Sequence, residues 1–269
     1  MTDATHGKPP ATPRQAVRIR NLHRRHPGPD GSRHVVFDGL SLDIAEGEFV
    51  CLLGASGSGK TTLLRAIAGL DPLDDGAIHI AHAGDHGACG FVFQQDALLP
   101  WRTVHENVVF GLEMQGAGRE ARDARGTALL ARVGLTRVAR HYPATLSGGM
   151  RQRVNLARAL AVDPAVLLMD EPFSALDAQT REIMQRELLA IWALRRQTVL
   201  FITHQIDEAL YLADRIIVLG ANGRGVVADL RVDFPRPRAL TVKRSAPFLA
   251  FVDRLWNLIE ADVVRAASL

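Results

Sequence analysis

A chain of 269 residues with 47% hydrophobic and 23% charged side chains can fold as one large domain, or a domain with a subdomain, around a substantial core. Its 32 basic and 29 acidic residues give a net charge of +3 and lie scattered, with no polybasic block beyond Arg24 and Arg25, so composition makes only a weak case for nucleic acid. Two cysteines, Cys51 and Cys89, and ten dispersed histidines argue against structural zinc and for a reducing compartment.

Residues 1–14 mix Thr, Pro, Gly, Lys and His with no apolar stretch, so they are expected to form a flexible tail rather than a signal peptide. No apolar run approaches the roughly 18 residues that cross a bilayer, so a transport role would need a channel made by another chain. Val17 to Asn21 and Leu40 to Ile44 alternate apolar and polar residues on either side of the turn-rich His26 to Gly31, which predicts antiparallel strands. Phe49 to Leu53, Gly90 to Phe93, Val166 to Met169, Thr198 to Ile202 and Ile216 to Leu219 read as buried strands between helix-period segments. That alternation predicts an α/β fold with a mostly parallel sheet. From about Val104 to Ala161 the pattern is helical, which predicts a helical insertion between two parts of the sheet. A turn at Asn222 to Gly225 precedes a further strand at Val226 to Val232. From Pro247, Phe248, Phe251, Val252, Leu255 and Leu258 recur at helical spacing and predict a closing helix on the core.

The chemistry concentrates in three places. Gly54, Ala55, Ser56, Gly57, Ser58, Gly59, Lys60 and Thr61 follow a predicted strand and open the helical pattern from Thr62, the context of a Walker A phosphate loop. Glycines let successive amides face a phosphate, the helix N-terminus adds positive potential, Lys60 reaches the β/γ oxygens and the Thr61 hydroxyl suits Mg²⁺. Four apolar residues, Val166 to Met169, then deliver Asp170 and Glu171 from a buried strand; Asp170 is the candidate Mg²⁺ ligand and Glu171 the group that polarises water. The third place is Leu146, Ser147, Gly148, Gly149, Met150, Arg151, Gln152 and Arg153, where Ser147 is placed to cap a helix and two glycines leave its amides open to an anion. Two phosphate sites far apart on one chain suit a two-fold pairing in which each turn faces the other copy's phosphate.

The run from Leu146 to Arg153 resembles the signature motif of ABC ATPases, and further marks of that family follow in order. Gln94 is similar to the Q-loop glutamine that senses Mg²⁺ and water, Ser174-Ala175-Leu176-Asp177 to the D-loop, and Thr203-His204 to the H-loop whose histidine contacts the γ-phosphate. The resemblance implies a RecA-like P-loop NTPase core with an N-terminal antiparallel β subdomain and a helical signature subdomain. The expected layout is an ATPase domain at 15–235, its helical subdomain at about 96–162, and a C-terminal helical extension at 236–269. It implies catalytic roles for Glu171, His204 and Gln94, and Mg²⁺ ligation by Thr61, Gln94 and Asp170. ATP would be bound by residues 54–62, by Ser147, Gly148, Gly149 and Asp177 from the dimer partner, and by a residue stacking on adenine. The family places an aromatic ring at that last position, where this chain has His26.

The segment Asp96-Ala97-Leu98-Leu99-Pro100-Trp101-Arg102-Thr103-Val104 resembles importers of nitrate, aliphatic sulfonates and taurine, as do Asp170 to Arg181 and Phe234 to Arg238. The expected partners are a second copy across an ATP sandwich, permease subunits docking near Leu98, Leu99, Pro100 and Trp101, and indirectly an extracytoplasmic solute-binding protein. No nucleic acid is expected, and the place is peripheral, on the cytoplasmic face of the inner membrane. For Trp101 the alternative is a ring that plugs the helical subdomain. One alternative is a soluble ABC-type ATPase not tied to transport, but such proteins usually carry two ATPase units or a long coiled coil, and this chain has one unit and no sustained heptad repeat. Another, a P-loop phosphotransferase, would explain Gly54 to Thr61 but leave Ser147 to Arg153 and His204 without a role.

Overall fold

The computed structural model describes residues 14–27, 33–81, 89–95 and 97–267. Residues 1–13 of the predicted tail, the centre of the turn after His26 and Asp96 lie outside the described residues. In chain order the elements are β1 (Gln15–Pro27), β2 (Arg33–Ala45), β3 (Phe49–Leu53), α1 (Lys60–Ile67), β4 (Asp75–Ile80) and β5 (Cys89–Val92). Next come α2 (Val104–Met114), α3 (Arg119–Arg132), α4 (Gly148–Ala161), β6 (Val166–Asp170), α5 (Ala178–Arg195) and β7 (Thr198–Ile202). The chain closes with α6 (Ile206–Leu212), β8 (Arg215–Leu219), β9 (Val226–Arg231) and α7 (Ala246–Ala267).

Two sheets result, one ordered β2-β1-β4 and one ordered β5-β6-β7-β3-β8-β9. In the larger sheet β5, β6, β7, β3 and β8 are parallel, and β9 closes the edge antiparallel to β8. Every residue of β3, β6 and β7 is buried, as expected of parallel strands covered on both faces. Successive residues of β3 divide between two cores: Phe49, Cys51 and Leu53 join the helical side, while Val50 and Leu52 face α1 and the smaller sheet.

Several predicted bounds change. The first two strands run well beyond Val17 to Asn21 and Leu40 to Ile44, pairing as far as Pro27 opposite Arg33. Their outer halves carry Arg and His, and register shifts between Ile19 and Arg25 break the alternation that would have marked them as strands. β4 was not foreseen: it contains only three apolar residues and gains its place by pairing Ile19 with Ile78 across β1. The strand expected at Gly90 to Phe93 is shifted by one, because Phe93 leaves the sheet and its ring packs on Phe91 with centroids 4.3 Å apart.

The helix predicted from Pro247 packs on the core through Phe248 and Leu255. Ahead of it, Arg238 is buried and donates to the carbonyls of Leu210, Tyr211 and Ala213 at the end of α6. These are the carbonyls a helix leaves unsatisfied. Burial, reinforced by Arg236, lowers the Arg238 pKa to about 10.

Candidate active site

Four parallel strands, β3, β5, β6 and β7, release the chain at the same edge of the sheet, where open α/β folds place their ligand crevices. After β3, the loop from Gly54 bends into α1 through glycines that no other residue replaces. A Cβ on Gly54 (φ 149°) would lie 2.3 Å from the Leu219 carbonyl oxygen. One on Gly59 (φ 88°) would lie 2.7 Å from Val36 and 2.8 Å from Phe37. The Lys60 ammonium folds back along the loop and donates to Gly54 O at 2.9 Å, Ala55 O at 2.8 Å and Ser58 Oγ at 3.3 Å. Burial lowers its pKa, while Glu171 and Asp170 oppose the shift. A cavity of about 460 Å³ is lined by the loop residues Gly57, Lys60 and Thr61, by His26, Val36 and Thr62, and by Glu171 and His204 from the strand ends.

Asp170, the last residue of β6, is 8% exposed, and its Oδ1 accepts from the Thr61 hydroxyl at 3.1 Å. Burial raises its pKa, and the Thr61 bond and Lys60 pull it back. At Glu171 the backbone turns left-handed (φ 43°), its N–H donates to Ile202 O at 3.1 Å, and its carbonyl accepts from Ser174 Oγ at 3.0 Å. That turn aims the carboxylate across the strand ends, where Glu171 Oε2 lies 3.2 Å from His204 Nδ1 and 3.4 Å from Gln94 Nε2. Residues from three strand ends therefore meet on one oxygen.

The raised Asp170 pKa fixes the sign of a stability effect. Ionised Asp170 costs the fold stability, a cost that appears as pH rises from the ordinary carboxylate range through the raised folded value. Asp170→Asn retains an acceptor for Thr61 and removes the charge. It is expected to raise the melting temperature at pH 7, because the buried charge is gone. Calorimetric melts should show the gap narrowing as pH falls, while ATPase activity is lost.

Ser147 caps α4, accepting from Met150 N at 3.3 Å, and Ser147 and Gly148 are exposed. Asp177 caps α5, its carboxylate accepting from Thr180 N at 2.9 Å and Thr180 Oγ1 at 2.7 Å, bonds that lower its pKa. The two caps are neighbours, since a Cβ on Gly148 would stand 3.7 Å from Leu176 and one on Gly149 would stand 3.0 Å from Thr180. None of Ser147, Gly148, Gly149 and Asp177 lines the cavity of its own chain. His26 does line it, half-buried, with Nε2 3.4 Å from Thr62 Oγ1.

Sequence reasoning missed Val36, whose signal was its place in the alternation of β2. It also missed Asn155 and Arg158 of α4. Asn155 Nδ2 donates to Phe93 O at 3.4 Å, and Arg158 donates to Ala97 O at 2.8 Å, so α4 grips the chain on both sides of Gln94. Polar residues on an amphipathic helix read as solvated, yet Asn155 is fully buried.

Leu98 is buried, Leu99 half-buried and Pro100 exposed, and Trp101 is 71% exposed, so the ring does not plug the helical insertion. The turn beneath it is held by fully buried Asn107, which accepts from Leu99 N at 2.8 Å and donates to the carbonyls of Leu99, Arg102 and Thr103. Thr103 and Glu106 then start α2 with a capping box.

A phosphate loop facing an acidic strand end is the architecture of a P-loop nucleoside triphosphatase. Within that class the chain belongs to the ABC transporter family, whose model matches residues 37–174, and it is an ATP-binding, ATP-hydrolysing cassette. It is 49% identical over 250 residues to the aliphatic sulfonates import ATP-binding protein SsuB 1 of Pseudomonas fluorescens, spanning 93% of this chain and 88% of that one. An uncharacterized ABC transporter ATP-binding protein of Methanocaldococcus jannaschii is 45% identical over 240 residues, spanning 88% and 89%. Among solved structures, a dimeric ATP-binding cassette in a post-hydrolysis state with ADP and Pi superposes with a TM-score of 0.71 at 34% identity, covering 81% of this chain and 100% of that one.

Proposed function

We propose that this chain is the motor subunit of an importer for a small anion of the aliphatic sulfonate or taurine type, with nitrate the next choice. The carrying observation is 49% identity, over nearly the whole chain, to a protein named for aliphatic sulfonate import. Deleting the gene should abolish growth on an aliphatic sulfonate as sole sulfur source and spare growth on sulfate. Restoration by the unmodified gene but not by Glu171→Gln ties the phenotype to this site, and unimpaired growth on sulfonates overturns the cargo assignment.

In this reading residues 15–235 form the ATPase unit, with the helical subdomain at about 96–162, and 236–269 an extension. The amides of Gly57 to Thr61 and the Lys60 ammonium hold the β- and γ-phosphates, and His26 lies against the base. Mg²⁺ favours hard oxygen donors, which the Thr61 hydroxyl and Asp170 carboxylate supply 3.1 Å apart; with Gln94 they would hold the ion, and it would neutralise phosphate charge. Glu171 orients the attacking water and draws on its proton, while His204 and Gln94 fix the carboxylate and reach the γ-phosphate.

Ser147, Gly148, Gly149 and Asp177 act on the nucleotide of a second copy. All but the half-buried Gly149 are exposed and none lines its own cavity, which supports this, as does the dimeric cassette that the fold matches. Each copy gives the other the same loop, so the interface is self-complementary and closes. Among the described residues no helix is long and apolar enough to cross a membrane, which fits a separate permease and a peripheral place on the cytoplasmic face, with a solute-binding protein delivering cargo.

The exposed Trp101 turn is the docking point for that permease. Trp101→Ala is expected to leave the melting temperature and nucleotide affinity unchanged. It should weaken permease binding by about tenfold or more, the usual cost of truncating an aromatic anchor. Co-purification from membranes and permease-stimulated ATPase assays check both halves.

A further inference from the structure

Away from the catalytic edge, the C-terminal helix holds the turn that leads out of β8. Two turns beyond Leu255, α7 presents Asp262, which is only 5% exposed. Its Oδ2 accepts from Ala221 N at 2.9 Å and its Oδ1 from the Arg224 guanidinium at 2.6 Å. Both partners belong to the turn between β8 and β9, closed by Gly220 N donating to Gly225 O at 2.9 Å. That turn carries three glycines and holds Asn222, Gly223 and Gly225 at positive φ, so its own residues give it little conformational order. Asp262 is the external tether.

No residue of the tethered turn lines the cavity, but each flank of the turn adjoins a residue packed against the phosphate loop or its wall. The turn starts one residue after Leu219, whose carbonyl occupies the space a Gly54 side chain would need. On the other flank, a Cβ on Gly223 would stand 2.7 Å from Val35, next to the wall residue Val36, itself packed on Gly59 at the start of α1. The phosphate loop therefore packs at its first residue on the end of β8, from which the turn departs, and the turn packs on β2, whose Val36 borders the loop's end.

We propose that α7 is a strut for the nucleotide site and that Asp262 is a positioning residue which sets ATP affinity through the 220–225 turn. The proposal rests on reading the cavity as the ATP site. Phosphate-loop amides bind only if held within fractions of an ångström of their working places, so freeing the turn acts on binding before it acts on chemistry.

The test is MgATP calorimetry and steady-state ATPase on the full chain. Asp262→Ala is expected to raise Kd and KM about tenfold with kcat within about twofold, as follows from losing a charge-assisted bond and leaving a buried amide unpaired. Asp262→Asn keeps an acceptor for Ala221 N and should raise Kd about threefold. Leu255→Ala, on the same helix but facing the main core, should lower the melting temperature and leave Kd unchanged. Unchanged affinity in both Asp262 variants overturns the proposal, as does a Kd that tracks melting temperature equally in Leu255→Ala. If Asp262→Ala does not fold, Asp262→Asn decides alone. Lys60→Ala run alongside separates the two readings: if it binds MgATP normally, the cavity is misassigned; if only the Asp262 variants bind normally, the strut is.

Discussion

Glu171→Gln is expected to bind MgATP within about twofold of the unmodified chain and to release phosphate at least ~100-fold more slowly, the range typical of a lost general base. The geometry supports both halves. Glu171 Oε2 is approached by Gln94 Nε2 and His204 Nδ1, and a glutamine side chain keeps an oxygen able to accept from both. What disappears is the capacity to take up a proton. The Glu171 backbone is pinned through Ile202 O and Ser174, so the substitution does not disturb the turn that aims the side chain. With hydrolysis blocked, the nucleotide should persist between two copies, and light scattering with MgATP should report a dimer that disperses with MgADP. Normal phosphate release from this variant in the presence of the membrane partner would remove Glu171 from the mechanism.

Lys60→Ala is expected to raise the Kd for MgATP ~100-fold, the usual consequence of removing one member of a buried charge pair, and calorimetry reads this directly. Without nucleotide the ammonium is spent on Gly54 O, Ala55 O and Ser58 Oγ, with Asp170 and Glu171 as the neighbouring charges. A triphosphate offers it far more negative charge at the same place, so the side chain exchanges carbonyl partners for phosphate oxygens. Removing it leaves the loop amides but no cation to balance the ligand. The chain should remain folded, as a melting curve verifies, because β3 and α1 are anchored by Leu52, Leu63 and Leu64 in the core. Affinity within about threefold of normal would show that the cation is dispensable.

What could be read from the sequence was whatever is local in the chain. The glycine loop, the Asp170-Glu171 pair and the Ser147 cap are contiguous runs whose chemistry follows from order alone, and continuous apolar strands mark the parallel sheet. What escaped depends on partners far away in sequence. Asn155, Arg238 and Asp262 look like ordinary surface residues until folding buries them against carbonyls and amides elsewhere in the chain. β4 failed for a related reason, since its identity as a strand comes from the edge of β1 that it covers. His26 was assigned to the base on resemblance, and the fold sets its imidazole in the cavity lining beside Thr62.

The hold that Asn155 and Arg158 keep on Phe93 O and Ala97 O has a mechanical consequence. On the function proposed above, Gln94, which would sense the triphosphate, and the Trp101 turn, which would dock the membrane partner, both adjoin chain held by the helix that Ser147 caps. A swing of that helix toward a second copy would then carry the permease handle with it. Catalytic readiness and transport stroke would share one lever, and loosening those two side-chain bonds should let the chain burn ATP while moving nothing.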